Sequence, residues 1–333
     1  MQTRALGDGS LTAISLGCMN LSHAYDVAPS EADAVALLNR ALDLGVTMLD
    51  TAALYGGGEN EKLLGRAVMH RRGEFTLASK CVLDMPGGKR VLDGSPAAIT
   101  ASIDRSLARL GTDHIDLMYL HRLDSAVAIE ESVGALARAI EAGKIGMVGL
   151  SEMSASTIRR AHAVHPVAAV QSEYSPMVRN PEVAVLETCA QLGIAFVAFS
   201  PVARGMLAGA IRSDAYTPGD IRATMPRFVG AELARNLELV ARFDAVAADA
   251  GVTPAQLALG WVLSRGDHVI ALPGTRSIAH LEEDLATLDR PIPTEAIAAV
   301  DAMFPIHAIA GPRYTAAMQA TIDTEVLPGE VLA

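Results

Sequence analysis

Short apolar runs that close on a polar side chain recur along this chain, separated by longer stretches whose apolar residues return every three or four positions. The runs 46–50, 75–80 and 115–121 end on Asp50, Lys80 and His121. Each is short, mostly apolar and closed by an ionisable residue, which predicts strands buried in a parallel sheet with their polar residues at its carboxyl edge. Tyr55 follows Asp50 by five residues, in a glycine-rich turn. Any one of the four alone reads as a helix cap, a solvated strand end or an exposed aromatic. Together, at successive strand ends, they point to one shared site.

The alternation continues along the chain. Ser30 and Asp33 predict a capped start for a helix that carries Val35, Leu38 and Leu42 and stops at Gly45. Further helices are predicted at about 59–69, 96–109, 127–142, 154–164, 183–191, 235–250 and 278–288, with Thr253-Pro254 as another helix start. Strands are predicted at Leu16-Gly17-Cys18, at 46–50, and in the runs ending near Lys80, His121, Ser151, Tyr174, Ser200 and Gly274. Eight strands alternating with eight helices favour a closed (β/α)8 TIM barrel, an α/β fold, over an open doubly wound sheet. No GxGxxG lies between a strand and a helix, so the usual dinucleotide fold has no signature here. A hairpin with its turn at Asp8-Gly9 precedes the barrel. The expected organisation is a single domain over 1–333, with a tail from about 305 laid over the active-site face.

Composition narrows the class further. Half of the 333 residues are hydrophobic and 20% are charged, too apolar for a disordered chain. A net charge of -11 argues against a nucleic-acid partner, which needs clustered Lys and Arg. Three cysteines, Cys18, Cys81 and Cys189, have neither disulfide nor zinc spacing, as expected in a reducing cytoplasm, and no metal is expected. The amino terminus lacks an apolar secretory core and no stretch approaches a membrane span, so a cytoplasmic enzyme without a membrane partner, monomer or homo-oligomer, is expected.

The stretch 50–65 reads Asp-Thr-Ala-Ala-Leu-Tyr-Gly-Gly-Gly-Glu-Asn-Glu-Lys-Leu-Leu-Gly. It resembles the DTAxxYGxGxNExxLG signature of the aldo-keto reductase superfamily. Segments in the same order agree: Leu16-Gly17-Cys18-Met19, Gly149-Leu150-Ser151-Glu152, Gln171-Ser172-Glu173-Tyr174-Ser175, 199–205 and Pro273-Gly274-Thr275-Arg276. The resemblance covers about residues 3–305, and Cys18-Met19 with Pro226-Arg227-Phe228 is most similar to the bacterial pyridoxal reductase-like branch.

The resemblance implies NADPH-dependent reduction of aldehydes or ketones, small carbonyl substrates, by a tetrad of Asp50, Tyr55, Lys80 and His121. Carbonyl reduction needs a hydride at carbon and a proton at oxygen. Tyr55 is expected to give the proton, Lys80 to lower the phenol pKa, Asp50 to hold Lys80, and His121 to orient the carbonyl oxygen. For the cofactor, the resemblance implies Ser151, Glu152 and Gln171 at the nicotinamide carboxamide and Tyr174 stacked on its ring. It implies Gly17, Cys18, Met19 and Asp50 beside the nicotinamide, and Ser200, Pro201, Val202, Arg204 and Gly205 around the pyrophosphate. Pro273, Gly274, Thr275 and Arg276 would meet the 2′-phosphate, and His280, Glu283 and Asp284 the adenine end.

Two departures stand out: Glu152 replaces a common Asn, and Asp284 replaces the Asn that usually follows the Glu matched by Glu283, where an ionised Asp could not donate a hydrogen bond. Tyr25, Phe304, Arg313 and Tyr314 are expected to shape the substrate pocket. Two other classes stay open: a cofactor-binding sensor like potassium-channel β-subunits, and a barrel lyase in which Lys80 forms a Schiff base.

Overall fold

The computed structural model describes residues 1–333 apart from His23, Val331 and Ala333. Eight parallel strands form its centre: β1 Leu16–Gly17, β2 Met48–Asp50, β3 Thr76–Cys81, β4 Ile115–Leu120, β5 Ile145–Ser151, β6 Val167–Glu173, β7 Ala195–Phe199 and β8 Val269–Leu272. Each pairs with its neighbour in chain order. The seam closes where Ser15 N donates to Ala271 O at 2.9 Å and Gly17 N to Pro273 O at 2.8 Å, so the sheet is a barrel without free edges.

Side-chain alternation divides each strand between lumen and exterior. Met48, Ala78, Leu117, Tyr119, Ala169, Ala195, Val197 and Ile270 pack together in the lumen. Their neighbours in sequence, among them Leu49, Leu77, Met118, Val170 and Phe196, belong to the outer core under the helices. The amino-terminal mouth is stoppered by a hairpin, Thr3–Leu6 with Gly9–Thr12, whose Leu6 and Leu11 join the lumen cluster. Burying each leucine contributes roughly 1.5–3 kcal/mol. The hairpin turn is Gly7-Asp8, one residue earlier than expected, because Leu6 pairs with Gly9.

The helices are α1 Glu31–Asp43, α2 Glu59–Val68, α3 Pro96–Leu110, α4 Ile129–Glu141, α5 Ala155–Val164, α6 Val185–Leu192, α7 Gly230–Asp249, α8 Pro254–Leu263, α9 Ile278–Ala286, α10 Thr294–Met303 and a single turn in the tail, α11 Ala316–Gln319. Ser30 caps α1 by accepting from Asp33 N, as its spacing predicted. Helix α7 starts five residues earlier than expected. The connection from β7 to β8 carries both α7 and α8, and α8, apolar but for Gln256, buries Trp261 and nearly every other side chain. Helix α10 was not anticipated. Nor was a small antiparallel ribbon, Leu83–Asp84 with Val91–Leu92, that follows β3.

Backbone strain gathers at one end of this barrel. All seven described non-glycine residues with positive φ lie in loops after strands: Ala24 and Asp26 after β1, Val82 after β3, Glu152 after β5, and Ser200, Ala203 and Arg204 after β7. Conformations of this kind cost on the order of 1–3 kcal/mol each and persist where packing enforces them, often at functional sites. The carboxyl rim is therefore where to look for chemistry.

Candidate active site

Lumen parity carries polar residues to that rim. In β2 the inward positions are Met48 and Asp50, and in β3 Ala78 and Lys80. Beyond β4 the inward series 117, 119 continues to His121. In β6 the series 169, 171, 173 presents Gln171 and Glu173. Successive barrel strands therefore converge their polar ends on one space.

At its centre is the Lys80 ammonium, fully buried. It donates to Asp50 Oδ1, to Thr51 O at 2.9 Å and to Tyr55 Oη at 3.2 Å, which uses all three of its hydrogens. Gln171 Nε2 donates to the other Asp50 oxygen at 2.9 Å. The His121 ring stands edge-on to Tyr55, centroids 5.9 Å apart, and the Lys80 nitrogen lies 4.9 Å from the Tyr55 centroid.

The 50–65 signature has a mechanical explanation. Tyr55 returns to Lys80 because the backbone turns through Gly56, Gly57 and Gly58 at φ of 59°, 65° and 95°, a left-handed run that only glycine adopts without strain. Asn60 then ties the turn down. Its amide donates to Cys18 O and Ser22 Oγ, each at 2.8 Å, and its oxygen accepts from Thr51 Oγ1 at 2.6 Å. Glu61 accepts from Ser79 Oγ at 2.7 Å, on the outer face of β3 beside Lys80, and pairs with Arg109 at 3.1 Å. Asn60 and Glu61 thus support the site without reaching it.

Electrostatics correct one expectation. Burial pushes the Tyr55 phenol above its ordinary value, and Lys80 only partly offsets this because Asp50 acts in the same direction as burial. Tyr55 is therefore a neutral phenol, the form that can donate a proton. Burial also works against the Lys80 ammonium, but Asp50 and Tyr55 outweigh it and hold its pKa above the usual lysine value. Such a lysine is a cation and not a free amine.

The expected cofactor residues divide into two groups. Ser151 and Gln171 are at the rim. Gly17, Cys18 and Met19 line the step from β1 into a short turn, with the Cys18 thiol buried. Ser200, Pro201, Val202 and Gly205 form the strained turn after β7. Pro273, Gly274, Thr275 and Arg276 lead into α9, where His280 is exposed, Glu283 half-buried and Asp284 buried. Arg276 already holds an anion: its guanidinium bonds the Asp26 carboxylate at 3.2 Å and the Val27 carbonyl. Burial, with Glu283 adding to it, pushes the Asp284 carboxyl up to about 8, so near neutrality it is protonated and can donate, unlike the ionised Asp assumed from sequence.

Three expected contacts are not brought to the rim as free groups. Tyr174 has the opposite parity to Gln171. It packs in the outer core against Phe196 and Trp261, centroids 5.7 and 5.3 Å away, and its hydroxyl donates to Glu182 at 2.7 Å. The half-buried aromatic on the lumen side is Phe199, paired in register with Glu173 and packed on the lumen cluster. Strand parity could have found it. Arg204 is buried in an ion pair with Glu173 at 2.8 Å and donates to Tyr25 Oη at 2.9 Å and Tyr314 Oη at 3.1 Å. Glu152 bonds Arg313, accepts from Thr324 Oγ1 at 3.0 Å, and accepts from Glu173 N at 2.8 Å.

The departure at Glu152 thereby gains a reason. Arg313 lies between Glu152 and Glu173, and Tyr314 donates to Glu173 at 2.7 Å, so the tail is bound to the rim by buried charge. Burial alone would raise the Glu173 carboxyl, but Arg204 and Arg313 bring it down to about 2. Asp323 and Glu325 cap the start of α5, accepting from Ser154 N at 2.9 Å and Ala155 N at 2.7 Å. Phe304, expected at the pocket, instead packs on Phe243 in the outer core, centroids 6.0 Å apart.

The model of the Aldo/keto reductase family matches residues 13–304. An aldo-keto reductase of Schizosaccharomyces pombe, yakc [NADP(+)], is 42% identical over 294 residues, 86% of each chain. A glycerol dehydrogenase from Gluconobacter oxydans superposes with a TM-score of 0.82 at 26% identity, covering 99% of this chain and 98% of that one. An aldo-keto reductase from Bacillus halodurans, in its holo form, superposes with a TM-score of 0.76 at 25% identity, covering 92% and 97%. With its barrel closed, its signature folded around Tyr55 and the family model spanning nearly the whole barrel, the chain belongs to the aldo/keto reductase family of oxidoreductases.

Proposed function

We propose that this protein reduces aldehydes or ketones to alcohols with NADPH, Tyr55 giving the proton. The observation that carries the reading is the Lys80 ammonium bonded at once to Asp50, Thr51 O and Tyr55 Oη, with the His121 ring against Tyr55. When bound, the reduced nicotinamide supplies the hydride. His121 orients the carbonyl oxygen toward Tyr55. As negative charge builds on that oxygen, Tyr55 transfers its proton there, and the phenolate left behind faces the Lys80 cation. Asp50 holds that cation in place, and the phenolate is reprotonated from solvent. A protonated Lys80 with every hydrogen engaged is a poor Schiff-base nucleophile, which disfavours the lyase reading.

The rim residues fit the coenzyme. Arg276 has the Asp26 carboxylate as a stand-in for a phosphate, and the positive-φ turn 200–205 is the kind of backbone that forms an anion nest. We assign Ser151 and Gln171 to the carboxamide, Phe199 to the ring, and Gly17, Cys18 and Met19 to the floor. Ser200, Pro201, Val202 and Gly205 serve the pyrophosphate through backbone. Thr275 and Arg276 serve the 2′-phosphate, and His280, Glu283 and Asp284 the adenine. The fission-yeast relative's name, with its NADP(+), supports this choice. The tail from about 305, anchored through Arg313, Tyr314 and Arg227, is read as the cover of one catalytic unit; Arg227 donates to Gly311 O at 3.0 Å.

Following NADPH consumption with a panel of aldehydes and ketones, pyridoxal included, tests the proposal. Tyr55→Phe is expected to lower kcat by at least the ~10²–10⁴-fold typical of general acid catalysis while NADPH still binds. A variant with near-wild-type kcat would remove Tyr55 from the role of acid.

A further inference from the structure

We propose that the carbonyl substrate carries a carboxylate near its reacting group, and that Arg122 and Arg90 bind it. The proposal rests on the reductase reading and adds a substrate class to it.

Arg122 directly follows His121 at the end of β4. Its Nη1 donates to His121 O at 2.6 Å and lies 3.3 Å from Ser151 Oγ, which fixes the guanidinium between the ends of β4 and β5. Only one of its nitrogens is used there. Nε is shut off from solvent without an acceptor, and Nη2 meets none among the described residues. The Nε–Nη2 edge is one of the faces a guanidinium offers to a carboxylate for paired, charge-assisted hydrogen bonds. An Nε held out of water without an acceptor is unfavourable for the protein alone, so a carboxylate that reaches it gains accordingly.

Arg90 lies in the loop of the ribbon that rises from the end of β3. Arg90 is exposed as a residue, but partial burial of its guanidinium and the charge of Arg122 both lower its pKa, which puts the two cations near enough to feel each other. The acids of this neighbourhood have other partners. Asp84 pairs with Arg105 at 3.1 Å, Asp124 accepts from Gly94 N and Ala126 N at 2.9 Å each, and Asp93 accepts from Ser95 N at 2.9 Å. Among the described residues neither Arg90 nor Arg122 makes an ion pair. In a chain of net charge -11, uncompensated positive charge next to His121 and Tyr55 selects for an anion. Arg122 holds the carbonyl of His121, whose ring stands against Tyr55, so its anion would lie on the same rim as the reacting oxygen.

The test compares 4-carboxybenzaldehyde with its methyl ester, which have the same aldehyde and differ in charge. Wild type is expected to favour the acid by about 10–100-fold in kcat/KM, and Arg122→Gln and Arg90→Gln to bring that ratio toward one, mainly through a higher KM for the acid. Arg90 is exposed, so its variant keeps the test open if Arg122→Gln does not fold. A wild-type ratio of one or below, or a ratio both variants preserve, overturns the proposal. If neither aldehyde is reduced and the wider panel of aldehydes and ketones gives no NADPH consumption either, the reductase reading fails. Calorimetric titration with benzoate then decides the anion site separately: saturable binding weakened at least tenfold by either variant upholds it, and no saturable binding, or equal binding by all three proteins, refutes it.

Discussion

A β-carbon on residue 149 would stand 2.4 Å from Cδ1 of Tyr119, so the Tyr119 ring fills lumen space that only glycine at 149 leaves open. That ring is part of the packing around the buried Lys80 cation, its centroid 5.8 Å from Lys80 Nζ. Gly149→Ala is expected to displace the ring or the strand. It should destabilise the fold by about 1–3 kcal/mol, the usual scale of overpacking, and lower kcat along with it. Urea unfolding and steady-state rates check both, and combining it with Tyr119→Leu should recover part of the stability.

Arg276 and Asp26 make a second testable pair. Arg276→Ala is expected to weaken NADPH binding by about 1.5–3 kcal/mol, the scale of a hydrogen bond to a charged group, and to leave NADH nearly unchanged. Asp26→Asn should tighten NADPH by removing a competing carboxylate. Fluorescence-quenching titrations with both coenzymes measure this. Equal losses for NADPH and NADH in Arg276→Ala would show that this arginine does not read the phosphate.

Asp284 gives a pH dependence with a definite sign. Its folded pKa, about 8, is above the unfolded value of 3.8, so the folded state binds the extra proton. The stability it contributes is fully present below about pH 4 and is lost as pH rises toward 8. Asp284→Asn is expected to raise Tm near pH 8 by removing a penalty on the order of a few kcal/mol, and to change little near pH 4. NADPH affinity in the wild type should fall above pH 8, where the carboxyl ionises, and stay flat in the variant.

The tail anchor is open to a double-mutant cycle. Glu152 and Arg313 are both buried, so Arg313→Leu strands the Glu152 carboxylate and should cost about 3–5 kcal/mol, whereas Glu152→Gln leaves Arg313 paired with Glu173 and should cost less. The double variant should lose less than the sum of the two. Strict additivity in urea unfolding would mean that the pair does not couple the tail to the rim.

Much of this was legible in the sequence because its physics is local. The apolar runs with polar ends, the cap at Ser30 and the glycines before α2 each act within a few residues, and strand alternation fixed Asp50, Lys80 and Gln171 on the inward face. The same alternation excludes Tyr174 from that face and selects Phe199, although the segment 171–175 by its residues alone points to Tyr174. Helix α10 was harder to see, since small apolar residues between proline-rich flanks give a weak helical pattern.

What the tertiary structure alone decided depends on partners far apart in the chain. Arg313 meets Glu152 across 161 residues, and Arg204 meets Tyr25 across 179, so neither Arg204's commitment to the network nor the reason for Glu152 can be found in any window of sequence. The pKa directions are decided at the same level. Tyr55, Lys80 and Asp284 are ordinary side chains until the fold removes their water and sets their neighbours, because desolvation and Coulomb energy depend on distance in space and not on separation along the chain.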